Sequence, residues 1–105
     1  MALAGKAEQV LLSAFWYYLK RRREGITQLN ARRFSVRFYS EIPGIHRMKK
    51  KEREDSLAEL TRLECIQRTV SGGFVLTPKS LLYLDVTFGT DTRRILEEIV
   101  EFITE

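Results

Sequence analysis

The sequence predicts a mostly helical α+β fold. Three observations carry this. Apolar residues recur at helical spacing over 7–24 and again over 92–104, and Ser71-Gly72-Gly73 separates two short β-prone runs. At 105 residues the chain fits a single domain, 1–105, with 1–6 read as a loose N-terminus. Hydrophobic residues make up 44%, enough for a packed core, so wholesale disorder is excluded. No apolar run approaches the roughly 20 residues of a membrane-spanning helix, so no membrane partner is expected.

Each element has its own signal. Over 7–24, Leu11, Ala14, Phe15, Tyr18 and Leu19 share one helical face. Lys20-Arg21-Arg22-Arg23 suits the helix C-terminus, where the dipole favours cations, and Gly25 can take the left-handed cap. Trp16, Tyr17 and Tyr18 cannot all face one core. Thr27 is an N-cap for a second helix reaching about Tyr39, with Leu29, Arg33, Val36 and Tyr39 on one side. A strand competes with it, because Phe34, Val36 and Phe38 alternate strictly. Pro43-Gly44 ends whichever of the two forms.

A third helix is expected over about Arg47–Cys65, with Met48, Leu57, Leu60 and Leu63 buried. Ser56 and Glu59 have capping-box spacing, which would start the helix proper only at Leu57. A hairpin then joins Ile66–Val70 to Phe74–Leu76. Thr77-Pro78 opens a short helix over Lys79–Leu84 with Leu81, Leu82 and Leu84 buried. A strand through Leu82, Leu84, Val86 and Phe88 is the alternative. Within 91–105 the last helix is amphipathic: Ile95, Leu96, Ile99, Phe102 and Ile103 oppose Glu97, Glu98, Glu101 and Glu105.

The formal net charge of +4 hides a split. Residues 1–53 hold 13 Lys/Arg against 4 Asp/Glu, whereas 54–105 hold 5 against 10. Such asymmetry fits an acidic partner, or basic and acidic faces that pair within the fold.

The segments Leu57-Ala58-Glu59-Leu60-Thr61-Arg62-Leu63, Ser71-Gly72-Gly73-Phe74 and Leu76-Thr77-Pro78-Lys79-Ser80-Leu81-Leu82 resemble the second half of a winged helix-turn-helix domain. Two departures from that family stand out: Glu64-Cys65 stands where a glycine commonly precedes the strand, and Ser80 where the family often has glycine. The resemblance implies three helices, a two-stranded wing and an extra C-terminal helix, with 28–39 as the second helix. It also implies double-stranded DNA as partner. Arg47, Lys49, Lys50, Lys51 and Arg53 would then lie at the major groove, Arg32, Arg33 and Arg37 over the backbone, and Arg68 and Ser71 in the wing. Three successive lysines fit phosphate contact better than base reading. In that family an added terminal helix often makes a homodimer, which nominates Ile95, Ile99, Phe102 and Ile103 as its seam. Packing of the same face on the first helix is the equal alternative. A protein–protein module without DNA is the other functional class.

An enzyme is not expected. His46 is the only imidazole and Cys65 the only thiol, too few for a zinc site, and no motif pairs them for nucleophilic catalysis. No Gly-rich phosphate loop is present, so neither cofactor nor metal is expected. One cysteine and no leader-like segment suggest the cytoplasm.

Overall fold

Nineteen residues of amphipathic sequence make the longest element, α1 (Gly5–Arg23), in the computed structural model, which describes residues 5–104. Val10, Leu11, Leu12, Ser13, Ala14 and Phe15 are buried in succession, so the middle of the helix is enclosed all round and not on one face alone. The helix begins earlier than the sequence suggests. Lys6 is already helical, and its ammonium meets the Glu52 carboxylate at 2.8 Å. The rest of the expected loose terminus, residues 1–4, lies outside the described residues. Gly25 closes α1 at φ +89°, with the Ile26 and Gly25 amides donating to the Arg21 and Arg22 carbonyls in a Schellman cap.

The expected second helix over 28–39 does not form as one piece. Thr27 does cap a helix, but α2 (Gln28–Ala31) lasts one turn. A two-residue strand, β1 (Arg33–Phe34), follows, and the turn at Ser35–Val36 leads into α3 (Arg37–Glu41). The alternation of Phe34, Val36 and Phe38 is therefore not a strand pattern. Phe34 ends a strand and Phe38 lies in the next helix, both rings reaching one core with centroids 4.7 Å apart, while Val36 is exposed. Pro43-Gly44 follows the end of α3, whose C-cap is Ile42, as expected, and also opens a new element. Pro43 takes the first helical position, where its missing N–H costs nothing, and starts α4 (Pro43–His46).

The third helix is α5 (Lys50–Arg62), shorter at both ends than expected. Ser56 is not its cap. It lies mid-helix and donates to the Glu52 carbonyl. The start is fixed instead by Glu52, whose carboxylate accepts from the Lys49 amide at 3.2 Å. The hairpin forms as expected from β2 (Ile66–Arg68) and β3 (Phe74–Leu76). β1 adds to its other edge, giving an antiparallel sheet in the order β1-β3-β2, with Phe34 opposite Phe74 and Arg68 opposite Phe74 on the other side. Gly73 lets β1 approach, because a Cβ there would strike the Phe34 carbonyl.

Thr77 caps α6 (Pro78–Thr87) by accepting from the Ser80 amide, which decides against the strand alternative. Leu84 is buried, but Leu82 is not, contrary to expectation. Asp91 caps α7 (Thr92–Ile103) by accepting from the Arg93 and Arg94 amides. α7 lies along α1 and against α4, and Ile95, Ile99 and Phe102 are buried there in one continuous apolar core. Ile103 is partly buried against the same core. This corrects the assignment of Ile95, Ile99, Phe102 and Ile103 to a dimer seam, since the face is already covered by the chain itself. The fit is close: a Cβ on Gly44 of α4 would collide with the Phe102 ring. Among the described residues no helix is long and apolar enough to cross a membrane.

Candidate nucleic-acid interface

Three contacts join α3, the N-terminal half of α5 and the hairpin tip into one surface. The Tyr39 hydroxyl donates to the Gly72 carbonyl at 2.8 Å. The Arg53 guanidinium lies 4.9 Å over the Tyr39 ring. The Arg68 guanidinium donates to the Gly72 and Gly73 carbonyls and meets Glu54 at 3.5 Å, a charge contact without hydrogen-bond geometry. Burial pushes the Tyr39 phenol above its usual pKa, so it stays a donor to the tip at neutral pH. The tip is thus held in place relative to α5.

On this scaffold the ten basic or polar residues singled out by sequence divide into two groups. Arg33, Arg37, Lys49, Lys50, Lys51 and Ser71 are exposed. Lys50 and Lys51 lie three residues before Arg53 and Glu54, so helical spacing puts them on the flank that faces the hairpin and α3. Lys51 approaches Asp55 only to 3.9 Å with both side chains solvated, a pair of little weight. Ser71 and Thr69 share a hydroxyl contact of 3.2 Å at the tip.

The other four are engaged within the chain. Arg32 caps α2 and is only partly exposed, with its guanidinium 3.5 Å from the Leu76 carbonyl. Arg47 donates to the Glu101 carbonyl, near the end of α7 where carbonyls lack helical partners. Arg53 and Arg68 are held as described above. The Lys20–Arg23 cluster is likewise structural in most of its contacts. Arg21 donates to the Ala31 and Arg33 carbonyls, Arg22 to Ile26, and Arg23 to Thr90 and Thr92, while Lys20 lies near the Trp16 and Tyr17 rings.

α5 is not a uniformly basic helix. Lys50, Lys51, Arg53 and Arg62 are balanced by Glu52, Glu54, Asp55 and Glu59 within its span. Part of that acid is spent inside the fold. Glu52 turns to Lys6, whose hydrogen bond holds its carboxyl below the usual pKa, and Glu54 faces Arg68. The unbalanced positive charge is therefore at the start of α5 and on β1, not along the helix, and Arg37 on α3 is matched in number by Glu41.

His46 ends α4 at the surface, and Cys65 is buried, which raises its thiol pKa and keeps it protonated. Among the described residues no group of three or more His, Cys, Asp or Glu converges to hold a metal. In comparisons with family models, with curated proteins and with solved structures, nothing matches the chain.

Proposed function

We propose that the chain is a winged helix-turn-helix domain that binds double-stranded DNA, with α5 as the recognition helix and β2–β3 as the wing. The observation that carries this reading is the short strand β1. It falls between the first helix and the helix pair α3–α4 and pairs with β3, so helix, strand, helices, helix and hairpin follow in winged-helix order. The exposed cations at the start of α5, on α3 and on β1 support a backbone-dominated contact. Asp55 and Glu59 on α5 oppose deep burial in phosphate-lined space, which favours shallow docking through the helix start and the wing. In this reading the domain acts as a regulator of transcription, or in replication or partition of a plasmid or virus.

The charge balance of α5 favours one second reading, a winged-helix module that docks on an acidic protein instead. Replacing Lys49, Lys50 and Lys51 by alanine separates the two. For DNA binding, duplex affinity falls and the salt slope becomes shallower by about 0.9 for each lost phosphate contact. A triple variant that binds duplex as the parent does removes α5 from the recognition role. A parent that binds no duplex even at low salt leaves the protein module.

The proposal includes a homodimer, with its seam moved to α6. There Leu82 is 64% and Val86 77% exposed, one turn apart on the same side. Lys79 and Asp85 flank Leu82 at equal distances in sequence, so two α6 helices crossing antiparallel at Leu82 set each Lys79 opposite Asp85 of the other copy. That charge complementarity selects a second copy of this chain as the occupant.

A further inference from the structure

The sheet has two faces, and only one of them meets α5. Arg68, Phe74 and Phe34 stand in one cross-strand row, from which Arg68 reaches Glu54 of α5. The neighbouring row, Gln67, Val75 and Arg33, points to the opposite face. On that side an open cleft of about 380 Å³ lies between the end of α1, β1 and the hairpin tip. Arg21, Arg33, Ser35, Thr69, Ser71 and Val75 are among its walls, and among the described residues no carboxylate lines it. Its polar side chains can all donate. Arg33 is exposed, and among the described residues its side chain has no hydrogen-bond or ion-pair partner. Arg21 is fixed beside it: Nη1 donates to the Ala31 and Arg33 carbonyls, and the guanidinium lies 4.4 Å over the Phe34 ring. Burial lowers the Arg21 pKa, which Glu41 and Glu24 oppose through space without an ion pair. An anion alongside offsets that burial. The Ser35 hydroxyl accepts from the Arg37 amide, so its own hydrogen stays available. Thr69 and Ser71 share one hydrogen between their hydroxyls, which leaves the second to donate outward.

We propose that this cleft is a seat for a phosphate group, held by Arg33 and the three hydroxyls beside the fixed charge of Arg21. A guanidinium presents parallel N–H bonds matched to phosphate oxygens, and hydroxyls fill the remaining acceptor sites. A free phosphate and a phosphate of a duplex backbone share this chemistry. The free form stands apart from the DNA reading. The backbone form rests on that reading and adds a contact on the hairpin face turned away from α5.

The experiment titrates inorganic phosphate against chloride at matched ionic strength, read by amide resonances, and follows duplex binding against salt. Three variants accompany the parent. Arg33→Gln removes the guanidinium, Ser35→Ala with Ser71→Ala removes two hydroxyls at constant charge, and Arg37→Gln removes an exposed cation outside the cleft lining. All these positions are exposed, so each variant is expected to fold, which melting curves check. If free phosphate is the occupant, the Ser35, Thr69 and Ser71 resonances of the parent shift with phosphate and not with chloride. Arg33→Gln then weakens phosphate binding roughly tenfold or more, and Arg37→Gln leaves it unchanged. If the occupant is a backbone phosphate, inorganic phosphate acts as chloride does. Arg33→Gln then weakens duplex binding with a salt slope about 0.9 shallower, and the double serine variant weakens it roughly fivefold at an unchanged slope. The seat is overturned if phosphate acts as chloride does and the double serine variant binds duplex as the parent does, since a lone cation contact needs no cleft. It is overturned equally if Arg37→Gln weakens phosphate binding as much as Arg33→Gln, or if the parent binds neither phosphate nor duplex. Phosphate binding that Arg33→Gln weakens, with no duplex binding in any of the proteins, keeps the seat and removes the DNA reading.

Discussion

Glu64 holds a left-handed backbone, φ +61°, at the end of α5. The chain needs that geometry there. The Cys65 amide returns to the Leu60 carbonyl and the Glu64 amide to Thr61, the same Schellman closure that Gly25 gives α1. An L-residue in this conformation carries a penalty of about 1–2 kcal/mol that glycine does not. Glu64→Gly is therefore expected to stabilise the fold by about 1 kcal/mol, raising the melting temperature by about 4 °C or more. The variant loses only the 3.5 Å contact with Lys79, between two exposed side chains, which weighs little against this. Chemical denaturation with an unchanged slope and a higher midpoint checks it. The sequence carried this position as a departure from a glycine, so the site was legible even though the conformation was not. The arginines were less legible. Composition reads Arg21, Arg23 and Arg47 as available charge, but each is spent on backbone carbonyls brought near by tertiary packing. No sequence window contains those partners, which lie up to 67 residues away.

At the scale of elements, the Thr27 and Thr77 caps and the hairpin turn were readable, whereas the Ser56 cap and the strand β1 were not. Thr77, Pro78 and Gly72 act locally, through bonds within a few residues, and the helix and hairpin they mark are present. β1 has two residues, and its existence depends on β3 some 40 positions later. Within 33–38 the same apolar letters satisfy a strand pattern and a turn between two elements, and only the distant partner decides. α7 shows the complementary case. Its amphipathic pattern was plain, but an apolar face does not name what covers it, and α1 and α4 do. Each buried Ile or Phe side chain there contributes about 1.5–3 kcal/mol. Phe102→Ala is expected to destabilise by about 3–5 kcal/mol, because the ring fills the space beside Gly44. Ile99→Asp is expected to abolish cooperative unfolding, since it buries an unpaired charge. Calorimetry and near-UV dichroism check both. A folded, soluble monomer from Ile99→Asp would return α7 to the role of a dimer seam.

For the molecule as a whole, the small net charge is the remainder of two separate allotments. Arg33, Arg37, Lys49, Lys50 and Lys51 are exposed on β1, α3 and the start of α5, and the acids of α7 lie on a helix whose other face is committed to α1. α6 starts at the base of the hairpin, where Thr77 bonds to the Cys65 carbonyl, so its outer face is separated from the wing tip by the length of the strands. A pair of chains joined through α6 leaves both wing tips uncovered. In the proposed dimer the contact is small, built on Leu82 and Val86 with the Lys79 and Asp85 exchange around them, so weak and concentration-dependent association is the expected behaviour. Sedimentation of the parent across a broad concentration range is expected to show monomer passing to dimer. Leu82→Glu with Val86→Glu is expected to remain monomeric with an unaltered melting curve, since both side chains are exposed in the monomer. Charge reversal gives the orientation: Lys79→Glu alone weakens the dimer by placing like charges opposite one another, and adding Asp85→Lys restores it. A dimer that survives the double glutamate variant, or a parent that stays monomeric at every concentration, removes α6 as the seam.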